Sequence, residues 1–307
     1  MAPGDILGSF LIISYLDRIS FLRTQLQIFP LVAILGFFLI CPILIIFIVS
    51  FWDYTSYSII PDFIFTNYED IFYGCIDNLP ELCTAFSTYL STIKFVIITW
   101  FITLIVGFLI ALFLAFCVQS IALQIALFLL CTIPFWTSNV IRMISWIPLL
   151  GRNGLVNDGL LKIGVVEAPI EWLLYSEFAV IVAFVHLYTL FMVVPIFNSM
   201  LRIDRSLLEA AYDTGASTWQ MLTNVIIPLC RPGIIIGSIF VVTIVMGDFL
   251  TIGVMGGQQI ASVGKIINVE MQYLQFPAAA ANAVILIFTT LMIIFGMTRI
   301  IDVRKEL

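Results

Sequence analysis

The stretch SLLEAAYDTGASTWQMLTNVIIP, residues 206–228, is a polar island in a chain whose other long segments are apolar. Ser217 and Gln220 have the spacing of a capping box, in which two residues cap one helix start reciprocally. Gly215 falls where a preceding helix should end in a left-handed residue. The pattern therefore predicts two short helices that meet at Gly215. Pro228 would then break the second helix or begin the next one.

The first of these helices is predicted to carry small residues on one face. Ser206 with Glu209 has the capping-box spacing at its start. Ala210, Ala211 and Thr214 share a face, because residues three and four apart are neighbours on a helix. Small side chains let another surface approach closely. The residues alone leave two interpretations open, a docking surface or an ordinary hairpin between two membrane spans.

This stretch resembles the EAA loop of bacterial ABC importer permeases, whose pattern is Glu-Ala-Ala, three residues, Gly, nine residues and then I-x-L-P. The chain matches from the triplet to the proline, with Val225 and Ile227 as conservative substitutions. In that family the loop is where the membrane subunit docks onto its ATPase. The resemblance implies that the residues that couple this chain to an ATPase are Glu209, Ala210, Ala211, Gly215 and Pro228.

The composition is that of a membrane protein. Of the 307 residues, 62% are hydrophobic and 10% are charged, and the mean hydropathy is +1.15. A soluble domain carries about 25% charged residues, and a helix needs about 20 apolar residues to span a bilayer. We expect an all-α membrane protein with six transmembrane helices, near 29–51, 94–118, 122–147, 178–201, 233–254 and 277–300.

The distribution of charge predicts the orientation. With the N terminus inside, the inner segments hold eight Lys and Arg residues and the outer ones hold five, whereas eleven of the nineteen acids lie outside. Because cytoplasmic loops are enriched in Lys and Arg, we expect both termini and the loop 202–232 to be cytoplasmic, and 52–93 to be an outer loop. Nothing in this distribution, with its net charge of −6, indicates a nucleic-acid partner.

Residues 1–27 are predicted to form an interfacial or elbow segment ahead of a permease domain at 28–307. Acids within its apolar part argue against a signal peptide, and a disordered tail is the alternative. Of six cysteines, only Cys75 and Cys83 share the outer loop, where they are either a disulfide or two free thiols.

The sequence contains no pattern of an enzyme or of a cofactor site. There is one histidine and no Cys-x-x-Cys pair, so no metal site is expected. The phosphate loop G-x-x-x-x-G-K-[ST] and the nucleophile elbow are both missing. We therefore expect no catalytic residue and no cofactor, and any ATP hydrolysis belongs to a separate subunit.

The resemblance narrows further in the segment 133–174, which is similar to the third span and outer loop of spermidine/putrescine-type permeases. The segment 247–257, GDFLTIGVMGG, resembles the end of that family's fifth span, and 276–280 resembles the start of its sixth. The inner turn 119–124 departs from the family because it lacks basic residues. The matching positions of the first segment are Pro134, Trp136, Thr137, Arg142, Trp146, Gly151, Gly154 and Asn157.

The resemblance implies a type I ABC importer permease fold and a set of partners. These are two ATP-binding ABC subunits, a second permease subunit that forms a heterodimer with this one, a substrate-binding protein, and the lipid of the bacterial inner (cytoplasmic) membrane. The implied substrate is a small cation such as a polyamine. An opine, a quaternary amine, thiamine or iron are alternatives, and a secondary transporter, a channel or a membrane enzyme are alternative classes of protein.

Asp248 is the only acid predicted to lie within a span, about 21 Å from the inner end of the fifth helix at 1.5 Å per residue. A buried ionisable group in a membrane is a functional candidate. Asp248 is either a counter-charge for a cationic substrate or a structural residue that caps a helix break or pairs with Arg142.

The other candidates for the substrate pathway are Trp136, Trp146, Tyr188 and Arg142. The aromatic rings could make cation–π contacts with an ammonium group, or pack as ordinary membrane anchors. Arg142 could snorkel to the outer boundary or contact a gate or a partner. His186 is expected to be a hydrogen-bonded core residue.

Overall fold

The structure is a computed structural model that describes residues 27–55, 58–73, 75 and 83–300. The predicted elbow at 1–27 lies outside these residues except for Gln27, as does the C-terminal end. The described part contains five helices long and apolar enough to cross a membrane, and a bent helix pair that makes a sixth span if it is counted as one. The six-span prediction is confirmed in this form, and the spans lie close to where hydropathy placed them.

The helices and strands follow one another along the chain in the order α1 (Gln27–Val49), β1 (Asp53–Tyr54), β2 (Ile59–Ile60), α2 (Thr66–Ile71), α3 (Thr84–Leu112), α4 (Ile121–Thr132), α5 (Asn139–Ile144), α6 (Ile147–Leu150), α7 (Leu155–Ile163), α8 (Glu177–Met200), α9 (Arg205–Asp213), α10 (Thr218–Met221), α11 (Ile227–Gly247), α12 (Leu250–Met255), α13 (Val263–Gln272) and α14 (Phe276–Ile300). Two π-helical turns, Phe113–Cys117 and Leu222–Ile226, and two 3-10 turns, Ile133–Trp136 and Glu171–Leu173, complete the described elements.

The core forms where α3, α8 and α11 pack together, and glycines set how closely they approach. A Cβ on Gly233 of α11 would lie 2.4 Å from the carbonyl oxygen of Pro195 in α8. On either side of Met192, a Cβ on Gly107 would come within 2.9 Å of its Cγ, and one on Gly237 within 2.8 Å of its Sδ. Small residues at such crossings are typical of membrane helices, because they allow backbones to come into contact. The α8 helix is therefore the centre of the bundle.

Three predicted boundaries are wrong, each for a physical reason. The second span begins at Thr84 rather than near 94, so the outer loop is shorter than 52–93. Its first turns carry polar residues that stay helical, since Thr88 and Thr92 donate their hydroxyls to the carbonyls four residues earlier. The uncharged apolar run of the sequence begins only after Lys94, whereas the helix itself begins ten residues earlier, at Thr84.

The predicted third span at 122–147 is two helices bent by 92°. Pro134 lies in the 3-10 turn after α4, and the hydroxyl of Thr137 donates to its carbonyl at 2.7 Å. The chain is extended at Thr137 and returns to helix at Asn139. A proline removes a helical hydrogen bond and clashes with the preceding turn, which accounts for the bend.

Pro228 was expected to break the second short helix or to begin the next one, and it lies in the first turn of α11. Residues Thr218–Gly247 form one 30-residue helix, in which the π turn Leu222–Ile226 immediately precedes Pro228. Such a turn is one way in which a helix continues past a residue that has no N–H to donate. The helix ends at Gly247, seven residues before the predicted end near 254.

The outer loop contains the only departure from the all-α prediction in the described residues. Asp53–Tyr54 and Ile59–Ile60 pair as a small antiparallel hairpin. Cys75 and Cys83 are joined by a disulfide with a Cα–Cα distance of 4.7 Å, which decides between the two alternatives left by the sequence. The loop is thereby closed just ahead of α3.

Candidate transport pathway and coupling surface

The polar island folds as the two predicted short helices. Ser217 and Gln220 form the expected capping box, in which each backbone N–H donates to the partner's side chain, at 2.8 and 3.3 Å. The other predicted capping box is wrong. Asp204 and not Ser206 caps α9, accepting the Ser206 N–H at 3.0 Å, and this bond holds the pKa of the Asp204 carboxyl below its ordinary value. An aspartate at this position is an equally common cap.

Gly215 ends α9 in the conformation that the sequence predicted. Its φ is +80°, and its N–H donates to Tyr212 while that of Ala216 donates to Ala211, at 2.9 and 3.1 Å. This pair of bonds is a Schellman motif. A Cβ on Gly215 would have no atom within 4 Å, so the glycine serves the backbone conformation and leaves open space above it.

The surface of this loop combines the expected small residues with two aromatic side chains. Glu209, Ala210 and Gly215 are exposed, Ala211 is half-buried, and Pro228 lies in the helix beyond. Tyr212 and Trp219 are 73% and 71% exposed. Sequence reasoning missed both aromatics, although an aromatic in a polar loop is itself a signal, because exposed aromatic side chains are enriched at protein interfaces.

A groove of about 420 Å³ runs beneath the loop, between α9, α10 and the C-terminal end of α3. Glu209 and Arg205 contribute to its polar side, and both π turns form part of its wall, through Phe116 and Leu222. π turns occur frequently at functional sites. The loop and this groove form one continuous surface, which we call the coupling surface after the role that the sequence predicts for it.

Asp248 lies at the break between α11 and α12, directly after the last residue of the fifth span and not within the span as predicted. Thr251 donates its N–H to Asp248 Oδ1 at 2.9 Å and its hydroxyl to Oδ2 at 2.7 Å, so the carboxylate caps α12. The hydroxyl of Tyr188, a side chain that is 4% exposed, also donates to Oδ2. Thr251 was missed in the sequence, although its position three residues after an aspartate is the spacing of a helix cap.

These side chains line a cavity of about 370 Å³, which we call the pathway cavity. Its other walls include Asn139, Met143 and the backbone end of α11. Measured along α8 from the exposed ion pair between Lys94 and Glu177, Tyr188 is eleven residues away, about 16 Å. This distance is about half the thickness of a bilayer's apolar layer, which is about 30 Å.

Arg142 does not pair with Asp248 in this structure, so this one of the proposed structural roles is wrong. Its Nη2 donates to Asn139 Oδ1, and its buried Nε has no hydrogen-bond partner in the described part of the chain. The ion pairs found among the described residues, Lys94–Glu177 and Arg152–Glu171, do not involve it. Arg142 therefore does not line the pathway cavity itself but is hydrogen-bonded to Asn139, which does.

The two tryptophan candidates lie apart from the pathway cavity. Trp136 is 85% exposed and lines a separate apolar cavity with Phe191 and Phe240. Trp146 donates its indole N–H to Nδ1 of His186 at 3.0 Å. His186 is exposed in the isolated chain, so the expectation of a core residue is wrong, although its hydrogen bond is made. Of the candidates, Tyr188 and Asp248 are brought together.

The chain has clear relatives among proteins of known class. It is 34% identical over 234 residues to the spermidine/putrescine transport system permease protein PotB of Salmonella typhimurium, covering 75% of this chain and 79% of that protein. PotB of Escherichia coli is 33% identical over the same share of this chain and 82% of its own length. The chain belongs to the family of spermidine/putrescine ABC transport permeases. No family model matches it.

The fold of this permease is also that of a solved ABC transporter. The chain aligns with a subunit of a bacterial alginate ABC transporter, in a crystal structure with an alginate-bound periplasmic protein, at a TM-score of 0.69 and 18% identity. The alignment covers 93% of this chain and 95% of that one. The predicted ABC importer permease fold is confirmed, and the chain is a multi-pass membrane permease, a transport subunit rather than the catalytic one.

Proposed function

We propose that this permease forms half of an import pathway for a small organic cation, with a polyamine as the cargo. The observation that carries the proposal is the Asp248 carboxylate, which lies in the pathway cavity and has no cationic partner among the described residues. An ionised group inside a membrane protein is expensive unless something compensates it. The names of the PotB relatives supply the choice of polyamine.

The surroundings of Asp248 favour a cation for one further reason. Tyr188, whose hydroxyl bonds to Asp248, places its aromatic ring in the lining of the same cavity. Aromatic faces attract ammonium groups. The charge of Asp248 and the ring of Tyr188 thus favour the same class of ligand.

We place one ATP-binding subunit of the assembled transporter on the coupling surface of this chain. A second ATP-binding subunit would dock on a second permease subunit. Glu209, Ala210, Ala211 and Gly215 would supply the contact, together with the exposed aromatics of the loop. The second permease would complete the pathway in a heterodimer. We place the assembly in the bacterial inner membrane, with both termini cytoplasmic and a substrate-binding protein outside.

The test is Asp248→Asn in the reconstituted transporter. Asparagine caps a helix about as well as aspartate does, so the variant removes the charge and keeps the cap of α12. We expect uptake of labelled putrescine at low concentration to fall at least tenfold, with the complex assembled in normal yield. Asp158→Asn, the same change at an exposed outer residue, is the matched control and should transport normally.

Either of two results would count against the proposal. Wild-type uptake by Asp248→Asn would remove the counter-charge from the mechanism. A loss of assembly in that variant would instead assign Asp248 a structural role. Competition by an excess of an unlabelled opine, quaternary amine, thiamine or iron complex decides among cargoes, since the true substrate should suppress putrescine uptake most strongly.

A further inference from the structure

A second cavity, of about 230 Å³, lies between α2, α3, α13 and α14, beside the hairpin of the outer loop. We call it the outer cavity. Its lining includes Asp70, Glu270 and Tyr89, together with Asn67 and Asn282. None of the described residues that line it is a lysine, an arginine or a histidine. The outer cavity therefore holds two carboxylates without a compensating cation.

Hydrogen bonding within the chain leaves acceptors unmatched at this cavity. Asn67, which is 5% exposed, donates from Nδ2 to the carbonyls of Ser50 and Trp52, at 3.0 and 2.8 Å. Asn282, also 5% exposed, donates from Nδ2 to both oxygens of Glu270, at 2.9 and 3.1 Å. Within the described part of the chain, neither amide oxygen accepts a hydrogen bond. The N–H groups of both amides are thus used in hydrogen bonds, and the two amide oxygens stay available as acceptors.

The hydroxyl of Tyr89 is a further unmatched group in the lining. It is buried, and no atom of the described residues bonds to it. A buried polar group without a partner is rare in folded proteins and calls for an explanation, of which a bound ligand is one. Burial also raises the pKa of Glu270, and the bonds from Asn282 offset part of this rise. The ionised carboxylate is thus short of solvation, which a cation would supply.

The α13 helix connects the outer cavity with the break that holds Asp248. In its first turn, the N–H of Val263 donates to the hydroxyl of Thr92 at 3.1 Å, and a Cβ on Gly264 would lie 2.9 Å from the Gly247 carbonyl oxygen. Glu270 is six residues further along, about 9 Å on the helix axis. One rigid element therefore borders both sites.

We infer that the outer cavity binds the primary ammonium group of an organic amine, as a second site outside the pathway cavity. A primary ammonium carries a full charge and three N–H donors and accepts nothing, which matches a lining of carboxylates and unmatched acceptor oxygens. Among the described residues, no group of three His, Cys, Asp or Glu is placed to hold a metal ion. The choice of a diamine as the probe rests on the proposed function.

The inference is tested by equilibrium binding of labelled putrescine to the complete transporter in nanodiscs, without the external binding protein. Asp248→Asn serves as the background, because it removes the charge of the pathway cavity and leaves the outer one. We expect this background to retain saturable binding, and Glu270→Gln or Asp70→Asn added to it to weaken binding at least tenfold. Glu69→Gln, the neighbouring acid on α2 that does not line the cavity, should leave binding unchanged.

Two design features keep the test decisive. Glutamine at 270 retains an oxygen for the Asn282 amide, and Asp70 is exposed, so Asp70→Asn reports even where the other variant assembles poorly. No binding in the background, or unchanged binding in both variants, overturns the inference while the uptake experiment stands. Binding that depends on Glu270, in a transporter whose wild type takes up no putrescine, supports the outer site and overturns the proposed cargo.

Discussion

Substitution of Gly215 separates a backbone requirement from a docking requirement at the turn between α9 and α10. The residue has a φ of +80°, and a Cβ built on it has nothing within 4 Å. Within this chain, a side chain there meets no steric obstacle, and its cost is one of conformation. That cost is about 1–2 kcal/mol for an ordinary residue in the left-handed region, and asparagine tolerates the region better than most.

Gly215→Val and Gly215→Asn therefore make different predictions. Valine is β-branched, so it strains the turn, and about 1–2 kcal/mol corresponds to a roughly 5–30-fold shift against the observed conformation. Asparagine keeps the turn and adds a side chain of similar size to its exposed surface. If an ATPase subunit docks closely on this surface, both variants lose coupling, and asparagine does so without losing the turn.

The assay compares putrescine uptake with ATP hydrolysis in the same reconstituted vesicles. We expect both Gly215 variants to insert and to hydrolyse ATP, with uptake per ATP reduced at least fivefold. Gly164→Asn is the matched control, since Gly164 has a φ of +77° and equally open space but ends α7 and does not belong to the coupling surface. Wild-type coupling by Gly215→Asn, with a defect in Gly215→Val alone, would refute close docking and leave only the backbone requirement.

Two further predictions follow from packing and from the outer loop. Gly233→Ala should destabilise the bundle by about 1–3 kcal/mol, because its Cβ would lie 2.4 Å from the carbonyl oxygen of Pro195. The measurement is the thermal midpoint of unfolding, which should fall. In the control variant Gly296→Ala, whose Cβ meets nothing within 4 Å, the midpoint should stay unchanged. Cys75 and Cys83 should resist alkylation until a reductant is added, as measured by intact mass, and full labelling of both without reductant would contradict the disulfide.

The spans could be predicted because hydropathy over about 20 residues is a long, redundant signal. Its failures occur where a few residues decide the outcome. The charge of Lys94 hid ten residues of helix at the start of α3, and the bend at Pro134 divided a span that looked continuous. At Pro228, the sequence predicted a break or a new start, and the π turn Leu222–Ile226 instead joins the preceding short helix to α11 without a gap. Each local result depends on how neighbouring turns share hydrogen bonds, which composition does not record.

The loop at residues 206–228 was predictable in more detail than the surroundings of Asp248, because its structure is local. The capping box at Ser217 and the left-handed Gly215 involve residues a few positions apart. The environment of Asp248 brings together Tyr188, sixty positions earlier, and Thr251. A single sequence indicates that a buried acid needs partners. Which residues these are depends on the packing of helices that are far apart in the sequence.

One continuous helix joins the two proposed functional regions of this permease. Thr218–Gly247 begins at the capping box of the coupling surface and ends at Asp248, over 30 residues or about 45 Å. Gly233 and Gly237 lock its middle against α8, which carries Tyr188. A docking event that shifts the inner end along this helix would therefore have to be absorbed at the π turn Leu222–Ile226 or passed to Asp248. The bond between Tyr188 and Asp248 spans the α8–α11 contact. Its geometry would change if the shift were passed on to Asp248, and it would stay the same if the π turn absorbed the shift.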